Sequence, residues 1–173
     1  MKVTINGKEY ECQEIKIKTE AGEIVVNSDI DKKKTGYERV DTGNTYYYAS
    51  MHPDIRMEST EWGDKYNNAD YDDANYYSSA EVAKNNARAD KLMRQLRRFS
   101  IENRKSKPDW TTRKTHKHYI VYNHSESIIE AEYGFMLESF GIVYFDSKEL
   151  AEQAIRKFKN ELIWYFTEYK DSL

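Results

Sequence analysis

A chain of 173 residues with 27 Lys and Arg against 30 Asp and Glu has a net charge of only −3, which excludes the overall electrostatic bias of a dedicated nucleic-acid or membrane-surface protein. Fifteen Tyr, six Phe and three Trp exclude a disordered chain even at 33% charged residues, because disordered segments are poor in aromatics. The length suffices for one ordinary domain, or two small ones, with a buried core.

The N-terminal residues read as a β-meander. Val3-Thr4-Ile5 and Lys8-Glu9-Tyr10 flank Asn6-Gly7, a pair that tolerates the positive φ of a type I′ turn. Ile15 and Ile17 alternate with Lys16 and Lys18, and Glu20-Ala21-Gly22 then turns the chain into Ile24-Val25-Val26. Alternation of this kind suits a sheet with one wet face. Residues 28–44 are polar and predict a loop. Cys12 is the only cysteine, which excludes an internal disulfide, and a half-buried strand position is expected for it. Met1-Lys2-Val3-Thr4-Ile5-Asn6-Gly7 lacks the apolar run of a signal peptide. No stretch approaches the roughly 18–20 apolar residues that span a bilayer. A cytoplasmic protein is the expectation.

The remainder of the chain states one pattern twice. Tyr76-Tyr77-Ser78-Ser79-Ala80-Glu81-Val82-Ala83 runs on through Arg88 and Lys91. Tyr144-Phe145-Asp146-Ser147-Lys148-Glu149-Leu150-Ala151 runs on through Arg156 and Lys159. At one fixed offset the aromatic pair, Ser, Glu, aliphatic, Ala, Arg and Lys all align, as two copies of a supersecondary unit would. In the first copy, strands are predicted at Thr45-Tyr46-Tyr47-Tyr48-Ala49, within residues 55–60 and at Asn75-Tyr76-Tyr77. A loop is expected from Trp62-Gly63-Asp64 to Asp73. Ser78 with Glu81 forms a predicted capping box, and Val82, Ala89, Leu92, Leu96 and Phe99 trace a helical stripe that ends near Glu102-Asn103. In the second copy, strands are predicted over 118–122, 128–133 and 142–145. A helix then starts at Asp146, with Glu149 completing its box, and buries Ala151, Ala154, Ile155, Phe158, Leu162 and Phe166. The fold class is therefore α+β: two β-β-β-α repeats, with helices packed on antiparallel sheet, plus the N-terminal meander. The divisions are 1–40 for meander and loop, 41–103 for the first unit, 104–117 for a basic connector containing Pro108, and 118–173 for the second unit.

Charge is distributed unevenly along this pattern. Arg94, Arg97, Arg98, Lys105, Lys107, Arg113 and Lys114, with Lys91, Arg104 and Lys117, far outnumber the acids between residues 91 and 118. They read either as a solvated helix face running into a charged connector or as a surface for phosphates, with Trp110 available for stacking. Opposite in sign, Asp54, Glu58, Glu61, Asp64, Asp70, Asp72 and Asp73 stand among Trp62, Tyr66 and Tyr71. Asp70-Tyr71-Asp72-Asp73 fails the EF-hand test because its sixth position is not Gly. A partner-facing acidic loop anchored by aromatics fits it better. His116-Lys117-His118 lacks further ligands at zinc spacing and reads as exposed histidines in the connector. No phosphate loop, nucleophile elbow or metalloprotease motif is present, so no catalytic residue, metal or cofactor is expected.

The units built on Tyr76 to Ala83 and on Val143 to Ala151, opened by Gly43-Asn44-Thr45-Tyr46-Tyr47-Tyr48, resemble a motif of small proteins of Firmicute phages and prophages. In those proteins a strand ending in two aromatics enters a helix through [S/T/D]-x-x-E-x-A. The resemblance covers roughly residues 40–170, and Asn85-Asn86 departs from it. It implies a non-enzymatic phage accessory protein in the host-cell cytoplasm that binds and inhibits a bacterial defence protein, as an anti-CRISPR protein blocks a Cas nuclease. The acidic and aromatic residues at 54–73 would then face the partner. The alternatives are a nucleic-acid-binding module using the basic residues at 91–117, and a structural or assembly protein such as a homodimer.

Overall fold

The structure, a computed structural model, describes residues 34–50 and 57–169 and the backbone of four short strands within residues 2–27. The chain divides into two compact units, Met1–Thr35 and Gly36–Leu173. In the first, β1 (Lys2–Ile5) pairs antiparallel with β2 (Lys8–Glu11), with Ile5 opposite Lys8. β3 (Glu14–Thr19) pairs with β4 (Gly22–Asn27), with Thr19 opposite Gly22. These are two separate ladders rather than one continuous meander. The Asn6-Gly7 turn and Cys12 lie outside the described residues.

The second unit opens with an irregular segment that is nonetheless tied down. The Gly36 carbonyl accepts from the Ser78 amide at 2.8 Å, and the Val40 amide donates to the Tyr76 hydroxyl at 3.2 Å. Gly36 has φ +89°, and a Cβ there would lie 2.5 Å from Val82 Cγ2, so only glycine fits. β5 (Thr45–Tyr48) and β6 (Met57–Thr60) form an antiparallel hairpin. The loop expected over 62–73 is instead largely helix, α1 (Lys65–Asp72), because the Asp64 carboxylate accepts from the Tyr66 and Asn67 amides and nucleates the first turn.

Helix α2 (Ala80–Asn103) follows, then the hairpin β7 (Lys117–Asn123) and β8 (Ile128–Gly134). The chain closes with α3 (Lys148–Lys157), α4 (Lys159–Trp164) and one wide π turn, Tyr165–Tyr169. The third strand expected in each unit shrinks to a single antiparallel bridge, Tyr47 with Tyr77 and His118 with Phe145. In both places the helix cap follows two residues later, leaving no chain to extend the pairing. The Asn75 side chain also takes the Ala49 amide at 2.7 Å, where the next ladder bond would form.

Both capping residues lie one position later than expected. Ser79, not Ser78, accepts from the Val82 amide, and Ser147, not Asp146, accepts from the Leu150 amide. Ser78 and Asp146 have other partners: Ser78 Oγ donates to Glu38, and Asp146 accepts from the Lys105 amide.

The apolar core joins Leu92, Leu96 and Phe99 of α2 to Phe145, Leu150, Ala151, Ala154 and Leu162. Ile120, Ile129 and Ala131 of the second hairpin pack against it. Asn86, which breaks the motif of the resemblance, is absorbed by tyrosines: its amide nitrogen donates to the Tyr37 hydroxyl at 3.0 Å, and its oxygen accepts from Tyr169 at 3.0 Å. Among the described residues, no helix is long and apolar enough to cross a membrane.

Candidate functional site

The hairpin β5–β6 and helix α1 enclose a shallow cleft of about 390 Å³. Tyr46, Tyr48, Ser59 and Thr60 supply its sheet side, and Asp64, Tyr66, Asn67 and Asp70 its helical side, with Trp62 at the rim. α1 is held to the hairpin by polar contacts. Tyr46 donates to Asp70 Oδ2 at 2.6 Å, while Asn67 donates to the Tyr46 hydroxyl at 3.2 Å and accepts from the Trp62 amide at 2.6 Å. Burial, followed by the bond to Asp70, raises the Tyr46 pKa and keeps the phenol neutral. Trp62 and Tyr66 are 66% and 67% exposed, a large apolar area to leave in water. Asp64 and Asp70 each keep one carboxylate oxygen with no hydrogen bond among the described residues. The cleft therefore offers negative charge beside aromatic faces, the surroundings that a Lys or Arg side chain favours.

Beneath the cleft, the sequence-selected Glu61 is 2% exposed and has an internal role. Arg39 donates to both of its oxygens, at 3.1 and 3.0 Å, Tyr76 donates at 2.8 Å and the Gly63 amide at 2.6 Å. The Arg39 hydrogen bonds, opposed by burial and aided by Tyr76 and Gly63, hold the Glu61 carboxyl at about 2. Tyr76 stacks on Tyr46 with ring centroids 4.1 Å apart, and burial followed by the bond to Glu61 pushes its phenol up to about 12.

Of the acidic and aromatic residues selected from sequence, Trp62, Asp64, Tyr66 and Asp70 thus line one cleft. Tyr71 sits edge-on to Tyr76 beneath the Arg39 guanidinium. Glu58, Asp72 and Asp73 are exposed outside the cleft, and Asp54 lies outside the described residues. The basic selection is more scattered. Arg94, Arg97 and Arg98 are exposed on α2, with Arg98 4.0 Å from Glu102, and Lys105, Lys107, Arg113 and Lys114 are exposed along the connector. Lys117, expected in the same solvated set, is buried. Its ammonium donates to the Thr112 and Thr115 carbonyls and to Thr115 Oγ1, and lies 5.5 Å from the Trp110 ring. His118 is also buried rather than exposed, since its backbone is bridged to Phe145, a residue of the apolar core. Among the described residues, no cluster of three or more His, Cys, Asp or Glu could hold a metal ion.

A second concavity was not singled out from sequence. A groove of about 810 Å³ runs between α2 and the junction of α3 with α4, lined by Lys84, Arg88, Lys91, Arg156, Lys157 and Lys159 with a single carboxylate, Glu161. Arg88 donates to both Glu161 oxygens at 2.8 and 3.0 Å and lies 3.9 Å over the Trp164 ring, clasping α2 to α4. These hydrogen bonds lower the Glu161 pKa. A signal was present in the sequence: at the offset that aligns Tyr76 with Tyr144, Arg88 falls on Arg156 and Lys91 on Lys159.

No family model, curated protein or solved structure matches the chain.

Proposed function

We infer that this is a non-enzymatic binding protein whose cleft between β5–β6 and α1 docks a basic segment of a partner protein. The observation that supports this reading is the exposure of Trp62 and Tyr66 beside two carboxylates that each keep a free oxygen. An exposed aromatic pair beside a cleft is the pattern of an interface hot spot, and the carboxylates select for cationic side chains. The phage resemblance gives the reading a specific form. The partner would be a bacterial defence protein, a Cas nuclease among the candidates, whose basic nucleic-acid channel the acidic and aromatic face would occupy. The parallel between the two halves fits the tandem units of that resemblance. Each hairpin is followed by an aromatic residue bridged to its first strand, and then by a serine-capped helix.

The test is affinity capture of the tagged protein from nuclease-treated bacterial lysate, with the wild type, a Trp62→Ala/Tyr66→Ala variant and an Asp64→Asn/Asp70→Asn variant in parallel. A captured partner should bind the aromatic variant at least about 30-fold more weakly, the effect of losing about 2 kcal/mol of hot-spot contact. The Asn variant should lose most of its sensitivity to salt. A partner that binds both variants as tightly as wild type would overturn the reading.

A further inference from the structure

The groove between α2 and the α3–α4 junction has a composition that folding does not require. Arg88 is taken up by Glu161 and Trp164, which fixes the two walls relative to one another. The five other cations remain: Lys84 and Lys91 on one wall, Arg156, Lys157 and Lys159 on the other. Lys157 rests over the Phe99 and Phe158 rings, at 4.9 and 5.6 Å. Among the described residues, no carboxylate pairs with Lys84, Arg156 or Lys159. Facing like charges across a concavity repel, and a chain with a surplus of acidic residues could have placed carboxylates between them.

Lys84, Arg88, Lys91 and Gln95 follow the spacing of one helical stripe, about 16 Å long. Charge spread over that length suits a ligand with several phosphates rather than one. Between the walls, the half-buried Phe158 adds apolar surface, and Gln95 and Asn160 add amides. Bare phosphate has no use for either, whereas a strand carrying bases and sugars can stack on the one and hydrogen-bond to the other.

We propose that this groove binds the phosphate backbone of a single-stranded nucleic acid, with Lys84, Lys91, Arg156, Lys157 and Lys159 as its phosphate contacts and the Arg88–Glu161 clasp as its fixed frame. The site is separate from the acidic cleft, is built from other elements and stands whether or not that cleft docks a protein.

The experiment is fluorescence anisotropy with labelled single-stranded DNA and RNA oligonucleotides over a salt series. For five phosphate contacts, affinity should fall about 100-fold between about 50 and 200 mM salt. The variant Lys91→Gln/Arg156→Gln/Lys159→Gln changes only exposed side chains and leaves two contacts, so the fall should shrink to under about tenfold. The control Arg97→Gln/Arg98→Gln, on the solvent face of α2, should keep the wild-type slope. Absence of salt-dependent binding by the wild type would overturn the proposal, as would a slope unchanged in the groove variant. A slope lost in the control instead would move the contact off the groove and overturn it equally. Inorganic polyphosphate binding as tightly as the oligonucleotides would make the ligand a bare polyanion, and the nucleic-acid assignment would fall.

Discussion

At position 61 a carboxylate is withdrawn from water and given four hydrogen bonds, two from Arg39, one from Tyr76 and one from the Gly63 amide. Its pKa of about 2 lies below the ordinary 4.5, so the folded state holds fewer protons on this group than the unfolded chain. Its contribution to stability is complete above pH 4.5 and is lost as pH falls from there toward 2. His118 acts in an earlier window. Burial lowers its pKa below 6.5, so the fold favours the neutral ring and stability starts to decline once the pH drops under that value. Glu61→Gln removes a charge but keeps the shape. Thermal melts across the acid range should show it about 2 kcal/mol less stable at neutral pH, with a shallower decline between pH 4.5 and 2 and the His118 window unchanged. An acid profile identical to wild type would show that Glu61 does not govern it.

Among the elements, the helix starts give the sharpest test, because two adjacent residues compete for one role in each. Ser79→Ala and Ser147→Ala should each cost about 1 kcal/mol in denaturant unfolding, while Ser78→Ala, which removes only an exposed bond to Glu38, should cost less than half of that. The reverse order would restore the caps read from sequence. Much of the second unit was legible because it rests on strong local signals. The aromatic strand Tyr46-Tyr47-Tyr48, the stripe from Ala89 to Phe99 and the helix end at Asn103 all lie where pattern placed them. What escaped depends on distant partners. α1 has the sequence Lys-Tyr-Asn-Asn-Ala-Asp-Tyr-Asp, a poor helix former by propensity, and it is held by Asp64 at its start and by Tyr46 and Thr60 across the hairpin. Four cleft residues were selected because they are close in sequence. The groove was missed because its two walls are joined by a pair 73 positions apart, Arg88 and Glu161.

For the molecule as a whole, a net charge of −3 conceals local polarity, since an acidic cleft and a basic groove belong to the same unit. Apolar surface is also uneven. Between β8 and α3 the segment Phe135 to Ile142 leaves Leu137 83% exposed and Phe140 with no measurable cover. Side chains so placed contribute little to folding, and Leu137→Asp/Phe140→Asp should leave the unfolding free energy from denaturant melts unchanged within about 0.5 kcal/mol. A loss well above that would mean the segment packs against something in solution.

Helix α2 is 24 residues long, about 36 Å, and contacts both β5 and α3. It packs on β5 and supplies Leu92, Leu96 and Phe99 to the core against which Ile120, Ile129 and Ala131 of β7–β8 pack. The unit from Gly36 onward is therefore indivisible despite its internal likeness. A fragment ending before Ala80 strips the tyrosine hairpin of its contacts with α2, and one starting after Asn103 leaves the core without one wall. Neither half of this duplicated pattern can be cut out and expected to fold as a domain, and amide protons in the two hairpins should open to exchange as one cooperative block.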